Sequence, residues 1–535
     1  MRLKLTFMLN LFLITGNLSS QTPASAILNV NQVKARINAD GDLFNSSQFI
    51  APYSAGQPEL SLLRRAGLWM TGNTGPAQFV CVVEPYPSKR FAPGPLDENG
   101  QPYPTGILTD IYRVSRADIE LHRADFADNG VIDQALPSVF GWPARGNPFF
   151  AQYHNGQQLP MAQEGWAGFA DVDNDGSYNP VKGDYPAPDI PGCPNATAPD
   201  EMLWFVYHPD TTTSVLTSIG MEIHCQVFAF HCVDESPLNN AVFVRYKLVY
   251  KGTFPVNDFH YGLYNSITIG YPGDNYFGCD TSRNMIFGYN ADQDDEGAYG
   301  NDIPAFGMKV LQEPSEQTGQ SAAFARVYRS SAADLVPHFY HYFRMSRQYL
   351  KVENFQYPGN PADPGAYTEI SAGNKPGVRD VVGSLGPKTL LPGDVDEIVT
   401  VYFFALKPGN TPVQNVQALY AGADELQDFF NNCFTPPGHI ECRTLADAPA
   451  LPAPAAGLKI FPNPASQSFA VESESAGIVR VQLGDLTGRR IFSQYLAGVV
   501  SRVNIPVAGL PDGIYLAEIW LENGARAWEK VVVSR

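Results

Sequence analysis

From Glu201 onward, apolar and β-branched residues crowd into short runs separated by Gly, Pro, Asn and Asp. The runs Leu203 to Tyr207, Thr217 to Phe230, Ala241 to Tyr250, His260 to Ile269 and Glu397 to Leu406 are predicted as strands. Before them, Ala66 to Met70 and Gln78 to Val83 also favour extended structure. The turn-rich spacing predicts antiparallel sheets packed as a sandwich. Two segments depart from this pattern. Ser115 to Ala124 carries Asp118 and Glu120 early and His122 and Arg123 late, the order a helix dipole prefers. Val413 to Asn432 repeats Val416, Leu419, Tyr420, Ala423, Leu426 and Phe430 at helical spacing, and is predicted to cover an edge or end of the sandwich. Residues 444–457 are a Pro/Ala linker that cannot bury itself. Beyond it, period-two stretches at Phe469 to Glu472, Val479 to Leu483, Arg502 to Ile505 and Tyr515 to Trp520 predict a second, smaller β unit.

Composition sharpens the fold class to all-β. Charged residues make up 17% of the 535 residues and aromatics 12%, with 47 Gly and 44 Pro, a balance that suits short strands and turns better than long helices. A hydrophobic content of 44% is enough for real cores. Asp and Glu outnumber Lys and Arg by 54 to 36, and the formal charge of −18 opposes nucleic-acid binding.

The N-terminus predicts the compartment. Met1-Arg2-Leu3-Lys4 followed by the apolar run Leu5 to Ile14 reads as a signal peptide over residues 1–20, with Ala26 as an alternative cleavage point. No window is long and apolar enough for a transmembrane helix. The expected order is then a β-rich region over 21–200, a β-sandwich region over 201–443 ending in the helix, the linker, and a C-terminal unit over 458–535. Outside the cytoplasm the seven cysteines can oxidise. Cys433 and Cys442 flank a Pro-Pro-Gly turn and are the favoured pair; Cys225 and Cys232 are read as lying on one strand about 23 Å apart, too far to bridge or to share a zinc with His224 and His231. The odd count leaves at least one free thiol.

The sharpest chemical motif is the acidic loop from Asp171 to Asp184. Carboxylates alternate at Asp171, Asp173 and Asp175, and Gly176 permits a tight turn after the third, an arrangement that folds oxygens around a hard cation. The expected calcium ligands are Asp171, Asp173, Asp175, the Ser177 backbone carbonyl, Asn179 through water, and Asp184. Lys182 stands at the twelfth position, where a helix-loop-helix calcium site has a bidentate Glu, so Asp184 is expected to close the shell instead. The loop resembles the calcium loops of dockerins and thrombospondin type 3 repeats. Two further acidic segments, Asp274 to Asp280 and Asp292 to Gly297, match no ligand template and are read as solvated loops. The chain holds no Gly-x-Ser-x-Gly elbow, His-Glu-x-x-His helix, phosphate loop or dinucleotide fingerprint. His338 to His341 is read as an aromatic stretch rather than a metal pair, since residues three apart on a strand face opposite sides.

The last part of the chain resembles a known family. Lys459-Ile-Phe-Pro-Asn-Pro-Ala465, Asp485-Leu-Thr-Gly-Arg489, Leu510-Pro-Asp-Gly-Ile-Tyr515 and Glu529-Lys-Val-Val-Val533 occur in the order found in the C-terminal (type A, Por secretion system) sorting domain of Bacteroidota type IX secretion cargo. The resemblance implies a seven-strand immunoglobulin-like sandwich, engagement of the type IX secretion machinery through residues 458–535, and delivery to the medium or the cell surface. The body, through Ala35 to Phe44, Ala66 to Trp69, Pro93 to Leu96, Trp142 to Ala144, the loop from Asp171 through Pro186, and Asp274 to Asp280, is similar to large uncharacterised surface proteins of the same group, a likeness that brings no activity with it. The resulting expectation is a calcium-stabilised adhesion or ligand-binding module for an extracellular glycan or protein. The alternatives are a hydrolase of extracellular polymers, whose paired carboxylates need no sequence proximity, and a structural protein of the cell coat.

Overall fold

The computed structural model describes residues 23–314, 327–328, 355–435 and 458–534, apart from 55, 76–77, 83–90, 104–105, 163, 194–195, 211–218, 233–234, 474–476, 486–489, 512 and 522–525. The signal segment, the 444–457 linker, His338 to His341 and Cys442 lie outside the described residues. The chain divides into two compact units, Met1–Cys442 and Arg443–Arg535.

Both large sheets of the body are antiparallel. A nine-stranded sheet runs Asn275–Asp280, Met285–Asn290, Ala305–Gln312, Val395–Ala405, Ala241–Tyr250, Met221–Ala229, Glu201–Pro209 and Phe91–Pro93, with Tyr112–Ser115 also pairing Glu201–Pro209. An eight-stranded sheet is built on Ser61–Gly75, Val256–Ile267 and Arg379–Leu390. Strands from before and after residue 200 therefore share both sheets: Leu68 pairs with Leu263, and Met202 with Val114.

The nine-stranded sheet is covered on both faces. Phe205, Ile223, Val244 and Tyr402 point toward the other sheet and pack with Leu68, Tyr261, Leu263 and Leu385. Their neighbours Trp204, Phe228, Phe243, Val401 and Phe403 point the other way, into a second core closed by Trp142, Trp166, Tyr178, Leu419 and Phe429. An antiparallel sheet with one wet face alternates apolar and polar residues. This one does not, because both faces exclude water, and Met202-Leu-Trp-Phe-Val-Tyr207 is accordingly apolar throughout.

The helix Pro412–Asn431 forms much of that roof. Its start is fixed by a capping box between Thr411 and Gln414 and by Pro412 in the first turn. Val416, Leu419, Ala423, Leu426 and Phe429 form its buried stripe; Phe429 takes the inward position expected of Phe430. The helix Arg116–Asn129 begins at Ser115, whose side chain accepts from the Asp118 amide, and stops at Gly130 in the left-handed region.

The disulfide differs from expectation. Cys433 bonds to Cys193, 240 residues away, with Cα atoms 5.3 Å apart, and not to Cys442. Phe434 is the reason: it is fully buried among Phe228, Phe230, Phe243 and Phe429, which docks the end of the helix beside Cys193 and Thr197, where the Thr197 amide donates to the Cys433 carbonyl. Cys232 is also disulfide-bonded, whereas Cys225 and Cys279 are free and buried. The strand holding Cys225 ends at Ala229, so the two cysteines do not share one extended segment. His224 is structural, buried with its Nε2 2.8 Å from Glu222 and its ring stacked on Trp166.

The C-terminal unit is a seven-strand sandwich. Leu458–Phe461, Ser468–Ser473 and Arg502–Pro506 form one sheet; Arg490–Val500, Ile478–Asp485, Gly513–Leu521 and Arg526–Val533 form the other. Phe469, Val471, Leu483, Ile505, Ile519 and Val531 fill the space between them. Asn463 of the Pro-Asn-Pro segment accepts from the Val532 amide at 2.7 Å and donates to the Lys530 carbonyl at 2.7 Å. The motif thus ties the entry of the unit to its last strand.

Candidate cation loop and surface cleft

The acidic loop is closed at its base by a two-residue antiparallel pairing of Phe169–Ala170 with Tyr185–Pro186. Tyr178 anchors the middle: it is fully buried in the second core and its hydroxyl donates to the Val139 carbonyl at 2.7 Å. Gly183, with φ of 94°, lies against Phe126 so closely that a Cβ would sit 2.6 Å from the ring. A side chain there would push the loop off the helix Arg116–Asn129.

These anchors bring Asp171, Asp173 and Asp184 together, with one carboxylate oxygen from each lying within 4.8 Å of the others. Oxygens on opposite sides of a calcium ion bound at about 2.3–2.6 Å are no farther apart than about 5 Å, so the spacing fits that ion. Asp184 is fully buried and accepts from the Val172 and Asn179 amides; burial pushes its pKa up, and those amides oppose the shift. Asp171 accepts from the Asp175 and Gly176 amides, with Gly176 at φ of 77° making the expected turn. The Asn179 side-chain oxygen is buried without a hydrogen-bond partner. Asp175 turns elsewhere, accepting from the Ser177 amide and from Lys182, and Ser177 is exposed. The Lys182 ammonium lies 2.7 Å from Asp173 and 2.5 Å from Asp175; its hydrogen bond holds the Asp175 carboxyl below its ordinary range. The loop thus contains a cation of its own.

Asp274 to Asp280 is a largely buried segment rather than a solvated loop, whereas Asp292 to Gly297 is exposed, as expected, except at Asp295. Asp295 is fully buried and accepts from the Tyr271 and Tyr299 amides, while Asp274 accepts from the Asn290 amide group. Burial raises Asp274 to about 6.

A cleft of about 580 Å³ opens between the turn at residues 280–283, Pro358 and Asn360, and the outer face of the helix Pro412–Asn431. Arg283 organises it. Its Nε and one terminal nitrogen grip Asp424 at 2.9 and 2.8 Å, its other terminal nitrogen reaches Asp280 at 2.7 Å, and the guanidinium lies 5.1 Å from the Tyr420 ring centre. Burial alone would raise Asp280, but hydrogen bonds from Ser282 and Arg283 outweigh it and hold the carboxyl below its ordinary range. Asn360 and Gln417 bond each other reciprocally through their amides at 2.8 and 3.3 Å. The periodicity of this helix announces a cover and nothing more, and of the two acids lining the cleft only Asp280 falls in a segment whose sequence stands out. Gln417, Ala421 and Asp424, at four- and three-residue spacing on the helix, are the polar signal that accompanies that periodicity.

Residues 459–534 match the model of the secretion system C-terminal sorting domain. No curated protein matches the chain. Among solved structures, a polysaccharide lyase is similar at 9% identity over 62% of this chain and 38% of its own length, with a TM-score of 0.16; a likeness that weak carries no argument. Among the described residues, no helix is long and apolar enough to cross a membrane.

Proposed function

We propose, for a type IX secretion cargo whose sorting domain engages the secretion machinery and which is exported to the cell surface or the extracellular space, that the body is a calcium-stabilised module for adhesion or ligand binding. The observation that carries the binding reading is the cleft around Arg283, in which Asp280 and Asp424 are both paired to one guanidinium. Polymer hydrolysis by paired acids needs one carboxyl kept protonated opposite an ionised one. Here both carboxylates bind the same guanidinium, and hydrogen bonds from Ser282 and Arg283 hold Asp280 below its ordinary range, an arrangement suited to recognition. Calcium would sit between Asp171, Asp173 and Asp184, with Asn179 within the same loop, and would neutralise carboxylates that repel one another.

The test is calorimetric titration of the full-length protein with calcium, thermal melts with and without chelator, and binding to arrayed glycans and extracellular proteins. The expected result is a calcium-dependent rise in Tm that is lost in Asp171→Asn and Asp184→Asn, together with binding to at least one arrayed ligand. A Tm indifferent to calcium removes the metal from the reading, and no binding in either condition removes adhesion.

A further inference from the structure

Donors and acceptors alternate along the wall of the cleft, and this narrows the class of its occupant. A guanidinium has five N–H groups. In Arg283, one on Nε and one on each terminal nitrogen are spent on Asp424 and Asp280, which leaves two. Each Asp424 oxygen accepts once from Arg283, and the side chain is 58% exposed, so acceptor capacity remains beside those donors. The Asn360–Gln417 pair adds amide donors and acceptors to the same wall. Arg283 and the Lys309 ammonium, which donates to the Arg283 carbonyl, balance Asp280 and Asp424, so the cleft carries no net charge that would draw an anion or a cation. A hydroxyl group both donates and accepts, and suits a wall on which the two roles are interleaved. The cleft volume falls in the range of small-molecule sites.

We infer that this cleft binds an uncharged, hydroxyl-rich ligand, namely a neutral oligosaccharide whose adjacent hydroxyls bridge Arg283 and Asp424 beside the Asn360–Gln417 amides. This rests on the binding reading above and goes beyond it by naming the ligand class and the residues.

The experiment titrates the full chain with neutral hexasaccharides of glucose, mannose and N-acetylglucosamine, and with uronate-containing and sulfated oligosaccharides of equal length. It then repeats the titrations on Asp424→Asn and Gln417→Ala, with thermal melts to verify folding. Binding to a neutral sugar is expected, weakened about tenfold or more by either variant at unchanged Tm, as loss of a hydrogen bond involving a charged or amide group implies. Preference for the charged sugars overturns the ligand class. Neutral-sugar binding indifferent to both variants overturns the assignment to this cleft while leaving the binding reading standing. Binding only to arrayed extracellular proteins also overturns the inference and spares that reading; binding to nothing overturns both.

Discussion

Lys182 occupies the loop position that sets the terms for any metal. Its ammonium bridges Asp173 and Asp175, so calcium entering between Asp171, Asp173 and Asp184 competes with it for Asp173. Replacing it with glutamine is expected to tighten calcium binding roughly a few-fold, the scale of an exposed ion pair, as read by calorimetry; unchanged or weaker affinity would show that the ammonium does not compete. Asp274 gives a pH prediction. Its folded pKa of about 6 is raised above the ordinary 3.8 by burial. The protonated form is therefore favoured by folding, and the contribution is fully present below 3.8 and lost as pH rises through about 6. Asp274→Asn should raise stability at pH 7 by about 1–2 kcal/mol and flatten its decline between pH 4 and 7 in denaturant titrations. The acidic loop was legible at this scale because its carboxylates are neighbours in sequence. Its capture of Lys182 was not, since nothing in the spacing says which way a flexible ammonium turns.

At the scale of elements, the helix Pro412–Asn431 was readable from its period and its cap. Thr411→Ala removes the side-chain acceptor and half of the capping box, and is expected to cost about 1 kcal/mol in chemical denaturation. The strands Ala241–Tyr250 and Val395–Ala405 were readable as well, yet their burial on both faces was not, because an apolar run does not reveal what covers it. The Cys193–Cys433 bond closes a loop of 240 residues around those elements. Replacing both cysteines with serine should lower stability by about 2–5 kcal/mol, measured against the oxidised parent. A loss below about 1 kcal/mol would mean that packing of Phe434 alone holds the helix end in place.

For the whole molecule, removal of residues 458–535 is expected to keep the body inside the envelope, assayed by fractionating cells and medium; normal amounts of body outside would contradict the role of the sorting domain. The sequence by itself determined the all-β class, the long helix, the sorting domain and the position of the acidic loop, because each is written in residues close together along the chain. The tertiary structure decided which cysteine meets Cys433, which segments roof the nine-stranded sheet, and that Arg283 meets Asp424 across 141 residues to shape a cleft. Those contacts follow from burying both faces of one sheet at once, a condition the whole chain satisfies together and no local pattern encodes.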